Sequence, residues 1–309
     1  MKPRIDIHIP VYNQPDKLEY CLASIRNQTL LPDEIVLFDD CSSESYKDVV
    51  EKYKNLNIKY IRNKSNLGAV PNMLNALYFF TDADYINVFH EDDIMESEFI
   101  RLSVHALEQN PLCAFSISPI SFFQNYGNTQ KQLSDISECE ICCKKDLIIS
   151  FLKGRTLGFG TVFYRRKSLV RADFDFKSYG VFGDRSFLLK IAGDNPVIVF
   201  LKELVLVYDH SLEKDNRWKT LKLEHIFNLY DFYLKELSLK LSQADKVVKA
   251  GVTHGVVSAC KMFSLENSPG MFYCIIKAYS RGLLSIKYYL LLSRYVRKSV
   301  EFIRKYLCV

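Results

Sequence analysis

No run in the 309 residues approaches the roughly 18 to 20 consecutive apolar residues that cross a bilayer. Residues 283–292 come nearest, and Lys287 interrupts them. No cationic, then apolar leader opens the chain either, because residues 1–6 run straight into a strand-like segment. A secretory signal is therefore not expected. Cysteine is not scarce, at nine, but the number is odd and the spacing irregular, so a disulfide framework is not expected. Together these absences point to a reducing cytoplasm. Only Cys139, Cys142 and Cys143 cluster, and no fourth ligand stands at a zinc-site spacing, so an ordinary surface segment is expected there. Internal repeats and low-complexity tracts are absent. So is a strong charge excess: 41 Lys and Arg stand against 36 Asp and Glu, a formal +5, and no nucleic-acid partner is expected. The small excess is unevenly placed. Residues 277–309 carry eight basic side chains and one acidic one.

What is present is a chain 48% hydrophobic, enough for one large domain or a domain with an appendage. Residues 4–11 alternate and are rich in isoleucine, which predicts a first strand, with Pro10 fitting its end. Tyr12-Asn13-Gln14-Pro15-Asp16 is turn chemistry. Leu18, Cys21, Leu22 and Ile25 recur at helical spacing. The wholly apolar 34–38 predicts a doubly covered strand. A helix over 45–54, a strand over 58–62 and a helix over 71–80 follow. A strand from Tyr85 ends in His90-Glu91-Asp92-Asp93. Four strand–helix alternations within the first hundred residues predict an α/β fold with a mostly parallel sheet covered by helices on both faces. Beyond come a helix over 97–108, a strand over 112–123, a helix over 144–152, a Gly-flanked turn at 179–184 and a strand or strand pair over 197–208. From Lys219 onward the pattern is helical. The expected division is thus residues 1–215 and a C-terminal helical region, 216–309.

In open parallel sheets ligands bind beyond the carboxyl ends of the strands. Tyr12-Asn13, Asp39-Asp40 and His90 to Asp93 all fall at such ends. Three consecutive carboxylates repel one another unless something positive lies among them, and a divalent cation holding a phosphorylated ligand would meet that need. A solvated turn is the simpler alternative for the triplet alone, but the convergence of three polar clusters weighs against it.

The chain resembles the inverting GT-A-fold glycosyltransferases of the family 2 type. The carrying pieces are Ile9-Pro10-Val11-Tyr12-Asn13, residues 24–29, residues 34–43, Asn66-Leu67-Gly68 with Asn72, Phe89 to Asp93, and Phe182-Gly183-Asp184. They stand in the family's order across residues 2–210. The resemblance implies that Pro10, Tyr12 and Asn13 border the nucleotide and that Asp40 binds its base. It puts Asn66, Gly68 and Asn72 beside base and ribose, Glu91 toward ribose or diphosphate, and His90 among the donor-binding residues. Asp92 is the implied ligand of Mn²⁺ or Mg²⁺, and Asp184 the implied catalytic base. Two departures stand out. His90 occupies a position where the family commonly has Asp, so Asp-x-Asp reads His90-Glu91-Asp92. Gly183 occupies one where Glu is common. Arg217-Trp218 lacks the preceding Gln of processive members, which implies transfer of a single sugar.

The implied reaction moves a sugar from a nucleotide-diphosphate donor, by family habit a UDP-sugar, to a hydroxyl of a glycan or polyprenyl-linked glycan. It must stabilise a departing diphosphate and activate a hydroxyl, tasks for a metal ion and a carboxylate base. Other readings stay open for several residues. Asp184 is either the base or an N-cap. His210 contacts diphosphate or is a plain surface histidine. Arg165 and Arg166 meet an anionic acceptor or are solvated, and Asp93 is expected to cap a helix. The basic, aromatic-rich 277–309 stretch is expected to lie on an anionic membrane surface, or else to pack on the core. Two rivals remain: a sugar nucleotidyltransferase, disfavoured because Tyr12-Asn13-Gln14-Pro15 is not a Gly-rich loop, and a catalytically inactive nucleotide-sugar binder.

Overall fold

The computed structural model describes residues 2–128, 138–169, 172–210, 222–240, 244, 246–264 and 278–284. The compact units are two. The first comprises 1–147, 155–172 and 189–216; the second comprises 148–154, 173–188 and 217–309. Two stretches ahead of residue 216 thus group with the C-terminal helices. Arg217-Trp218 and most of the basic 277–309 stretch lie outside the described residues. No described helix is long and apolar enough to cross a membrane.

The first unit begins as strict alternation: β1 (Ile5–Val11), α1 (Pro15–Arg26), β2 (Glu34–Asp39), α2 (Lys47–Lys52), β3 (Ile58–Arg62), α3 (Ala69–Tyr78), β4 (Tyr85–Val88). A two-residue strand β5 (Ile94–Met95) precedes α4 (Phe99–Gln109). Then come β6 (Phe115–Ile117), β7 (Ile120–Phe123), β8 (Cys139–Cys142), α5 (Lys144–Leu152), β9 (Phe163–Arg165), α6 (Phe176–Tyr179), α7 (Gly183–Ala192), β10 (Val197–Phe200) and β11 (Val205–Tyr208). The second unit's long helices are α8 (Leu223–Glu236) and α9 (Lys246–Ser264).

Among the described residues one sheet has eight strands in the order β3-β2-β1-β4-β9-β6-β10-β8. β1 to β4 are mutually parallel, as are β6 and β10, while β9 and β8 run against their neighbours. Chain order reverses between β1 and β4, the topological switch point where such sheets bind ligands. Pro10 helps open that point. The His8 carbonyl accepts from Phe89 N–H, so Pro10, two residues on, faces the same side just where pairing to β4 has ended.

β1 is buried on both faces. Ile5, Ile7 and Ile9 join Leu18, Leu22 and Ile25 of α1 and Phe99, Ile100 and Val104 of α4 in the main core. Asp6 and His8 point the other way, beneath α3. Such buried polar groups need partners: His8 Nδ1 lies 2.6 Å from the Ala76 carbonyl, and Asp6 accepts from the Thr81 hydroxyl. Burial pushes the His8 imidazole down to about 4, despite that carbonyl.

Several expectations are corrected. Residues 112–123 are not one strand: the chain turns at Ser118-Pro119, and β7 leaves for a small sheet, β5-β11-β7. Residues 197–208 form the strand pair of the two alternatives, β10 staying in the large sheet and β11 joining the small one. The Cys139–Cys142 segment is the sheet's edge strand, with Cys142 buried. Arg165 is neither solvated nor open to an acceptor. Its buried guanidinium donates to the Cys113, Leu107 and Asn110 carbonyls and to the Tyr85 hydroxyl.

In the second unit Phe227 and Leu234 of α8 meet Val248, Val252 and Val256 of α9. Gly255 permits their approach, since a Cβ there would collide with the Tyr230 hydroxyl.

Candidate active site

The site is built from five loops at the carboxyl ends of β1, β2, β3, β4 and β11. Asn13 sits at φ 56°, a left-handed conformation that Asn tolerates better than most residues. Its Oδ1 accepts from Ser43 N (2.7 Å), Ser43 Oγ (3.1 Å) and Glu44 N (3.1 Å), tying the loop after β1 to the loop after β2. Next door, the Tyr12 N–H donates to Glu91 Oε1 at 2.7 Å, and the Tyr46 hydroxyl donates to Oε2 at 2.7 Å. Both Glu91 oxygens therefore hold the scaffold across the switch point. Burial pushes this carboxyl up to about 8, against the pull of those two donors.

The Asp39-Asp40 pair is fully engaged. Asp39 accepts from Ser42, Tyr60 and Arg62. Burial alone would raise it, but these partners hold it below the usual carboxylate range. Asp40 Oδ1 accepts from Asn63 Nδ2 (2.9 Å) and Leu67 N (2.8 Å), and Oδ2 accepts from Gly68 N (2.8 Å). Asn66 Oδ1 also meets Gly68 N, at 3.0 Å. Asn72 donates to the Phe38 carbonyl and accepts from Asn63. Asp40, Asn66, Gly68 and Asn72 thus belong to one hydrogen-bonded network that ties the end of β2 to the 63–68 loop and to α3.

The turn after β4 is different. His90, Asp92 and Asp93 present ligand atoms within 4.8 Å of one another, the only such group of His, Cys, Asp and Glu among the described residues. His90 Nδ1 lies 3.2 Å from Asp93 Oδ2. Asp93 Oδ1 accepts from Tyr208 N–H at 3.0 Å, which fastens the turn to β11. Asp93 caps no helix, contrary to expectation, because β5 follows it and α4 starts only at Phe99. His210, 118 residues away, places Nε2 2.7 Å from Asp92 Oδ2, so it is not a plain surface histidine. Burial opposes the Asp92 charge, but His210 and His90 keep its carboxyl low; Asp93 is raised by burial and by Asp92.

Three residues here escaped sequence reasoning. Tyr126 donates to the Asp92 carbonyl at 2.8 Å and stacks on Tyr208 at 5.6 Å. Lys17 sets its ammonium 3.9 Å over the Tyr208 ring. None lies in a motif, and Tyr126 sits in what reads as a bare polar loop.

Asp184 belongs to the second unit. It is the second residue of α7, not its N-cap, and its Oδ1 accepts from Arg185 N–H at 2.7 Å. Pro10, Tyr12, Asn13, Asp40, Asn66, Gly68, Asn72, His90, Glu91, Asp92 and His210 all belong to the first.

The profile of Glycosyl transferase family 2 matches residues 6–171, more than half of the chain and all of the β1–β4 scaffold except Ile5. The chain belongs to that family. It is 25% identical over 268 residues to the abequosyltransferase RfbV of Salmonella typhimurium, covering 79% of this chain and 80% of that protein. In fold it is similar to Staphylococcus aureus TarS (residues 1–349) in complex with UDP: TM-score 0.60, 18% identity, 96% of this chain and 87% of the other. It is also similar to the mannosyltransferase PcManGT of Pyrobaculum calidifontis in complex with GDP-Man and Mn²⁺, with TM-score 0.53, 14% identity and coverage of 98% and 81%. The chain is a GT-A-fold glycosyltransferase of family 2. Membership removes the nucleotidyltransferase and the inactive binder as readings.

Proposed function

We propose that this enzyme transfers one sugar from a UDP-sugar to a hydroxyl of a glycan or polyprenyl-linked glycan, with inversion and with the help of Mn²⁺ or Mg²⁺. The observation that carries the reading is the His90–Asp93 turn, a cluster of converging donors at the sheet's switch point. The residues fit a divalent ion. Two buried carboxylates stand side by side, and Asp93 Oδ2 is buried without a hydrogen bond. Asp92 would be the principal ligand. When bound, such an ion supplies Lewis-acid stabilisation of the departing diphosphate, worth several kcal/mol.

The chain's own groups do the rest. The turn of Pro10, Tyr12 and Asn13 borders the nucleotide, and Glu91 positions that turn through the Tyr12 N–H. The Asp40 loop, with Asn66, Gly68 and Asn72, shapes the base and ribose side. His210 leaves Asp92 to meet diphosphate oxygens as the donor arrives. Asp184 takes the proton from the acceptor hydroxyl as that oxygen attacks the anomeric carbon, and a single displacement inverts the centre. The domain would be residues 1–215, with 216–309 an accessory helical region whose basic end meets anionic lipid at the cytoplasmic face of the membrane. UDP as the nucleotide is supported by the UDP complex of the TarS neighbour; GDP-Man in PcManGT marks the competing choice.

The test is a thermal-shift series with UDP, GDP and CDP, each with and without Mn²⁺. Ligands that bind only the native state raise Tm by mass action. We expect UDP with Mn²⁺ to give the largest rise. No shift with any of the three, metal present, would sink the proposal, and a larger GDP response would replace the donor.

A further inference from the structure

Resting on the metal-dependent reading above, we propose that His90 is itself a ligand of the divalent ion. The site is then nitrogen-bearing, taking Mn²⁺ or Co²⁺ and discriminating against Mg²⁺. Three features of the turn lead there. First, Glu91 is removed from the ligand set, since both its oxygens are held by Tyr12 and Tyr46. Two carboxylates remain, and the third donor within 4.8 Å of both is an imidazole nitrogen. Second, Asp93 is divided between two tasks. Oδ1 is held by Tyr208 N–H, while Oδ2, buried and without a hydrogen bond, lies 3.2 Å from His90 Nδ1. A proton can bridge that pair, and a divalent ion can take the proton's place. Third, the space over this pair is kept by glycine. A Cβ at Gly160 would stand 3.7 Å from both Asp93 Oδ2 and His90 Nδ1, so glycine leaves the two donors uncovered on that side. Phe159 beside it lies nearly parallel to the His90 ring, at 10° and 6.4 Å, and limits the ring's orientation.

The donor set decides the ion. Mg²⁺ demands oxygen ligands and keeps much of its water. Imidazole suits borderline first-row metals, whose affinity rises from Mn²⁺ to Co²⁺. An Asp at position 90 would give an all-oxygen site without that preference.

The experiment titrates Mn²⁺ into the intact chain, alone and then with UDP, and follows it by electron paramagnetic resonance. Electron spin-echo modulation reads nitrogen bound to the ion. Wild type should show ¹⁴N modulation. His90→Asp and His90→Gln should both lose it, the second without adding a carboxylate. His210→Phe, which removes the other nearby imidazole, should keep it. Mg²⁺ should displace Mn²⁺ from His90→Asp at a concentration lower by about tenfold or more than from wild type. Bound Mn²⁺ without nitrogen modulation, or modulation that survives both His90 variants, overturns the His90 assignment and leaves the sugar-transfer reading standing. If wild type binds no Mn²⁺ either alone or with UDP, the metal-dependent reading falls, and this inference with it.

Discussion

Two consecutive aspartate pairs stand at the carboxyl ends of the two strands that flank β1, Asp39-Asp40 at the end of β2 and Asp92-Asp93 in the turn after β4. In sequence they look alike. In the fold the first pair is saturated: its four oxygens accept from hydroxyls, a guanidinium, a side-chain amide and three backbone N–H groups. The second pair faces histidines, and one of its buried oxygens receives no hydrogen bond. A carboxylate that has its donors stabilises a loop. A buried one that lacks them is costly, and a ligand can recover that cost. Adjacent acids thus part into scaffold and site by what surrounds them.

The largest expected effect breaks the second pair. Asp92→Ala should abolish Mn²⁺-dependent UDP binding, measured by calorimetry, because the diphosphate charge loses its bridge. The melting temperature should change little, since Asp92 anchors no backbone N–H among the described contacts. Undiminished metal dependence in this variant would end the assignment. Asp184→Asn comes next. Transfer should fall by about 10² or more with donor affinity within a few-fold, as expected for loss of a general base. Asn Oδ1 can still accept from Arg185 N–H, so the helix should persist. Near-normal turnover would place the base elsewhere.

How much of this contrast was legible depends on sequence distance. β1 to β4 and their helices were readable because each apolar face is local and periodic, and the carboxyl-end clusters followed from the alternation. The second half was not. Residues 112–123 read as one strand and 197–208 as a strand or a strand pair, and periodicity carries no sign that the chain changes sheet at Ser118-Pro119 or between Phe200 and Val205. Arg165 looked like a surface cation because its partners are mostly backbone carbonyls, which no side-chain pattern announces. The same holds within the site. The Asp92-Asp93 turn could be found, but its fastening to Tyr208, Tyr126 and His210 spans from 34 to 118 residues.

Glu91 sharpens the comparison through pH. Its folded value, about 8, lies above the ordinary glutamate value. A raised carboxyl contributes stability that is complete below the unfolded value and is lost as pH rises through the folded one. Asp39, held low, does the reverse and matters only in acid. The buried His8, near 4, also loses stability as pH falls, so the wild-type profile mixes opposing slopes. The difference between wild type and Glu91→Gln isolates one of them. Without metal, that difference should move by on the order of 3 kcal/mol in favour of the glutamine between pH 5 and pH 8. Urea unfolding at the two pH values measures it, and a flat difference would mean that Glu91 titrates normally.

The smallest effect tests the first pair. Asp40 accepts from three N–H donors through both oxygens. An asparagine offers one acceptor oxygen and one amide nitrogen. With its oxygen toward Asn63 and Leu67, the amide faces the Gly68 N–H; flipped, it faces the other two. Either way donor meets donor, and Asp40→Asn should lose about 1 to 3 kcal/mol, the range for a hydrogen bond to a charged group or an unsatisfied buried donor. UDP affinity should weaken only modestly, as a loosened 63–68 loop predicts. Asp92→Asn should show the opposite pattern, with stability kept and metal-dependent binding lost. If Asp40→Asn instead kept its unfolding midpoint and lost UDP binding outright, Asp40 would be a direct contact to the base. The two acidic pairs would then differ in which part of the donor they touch, not in whether they touch it.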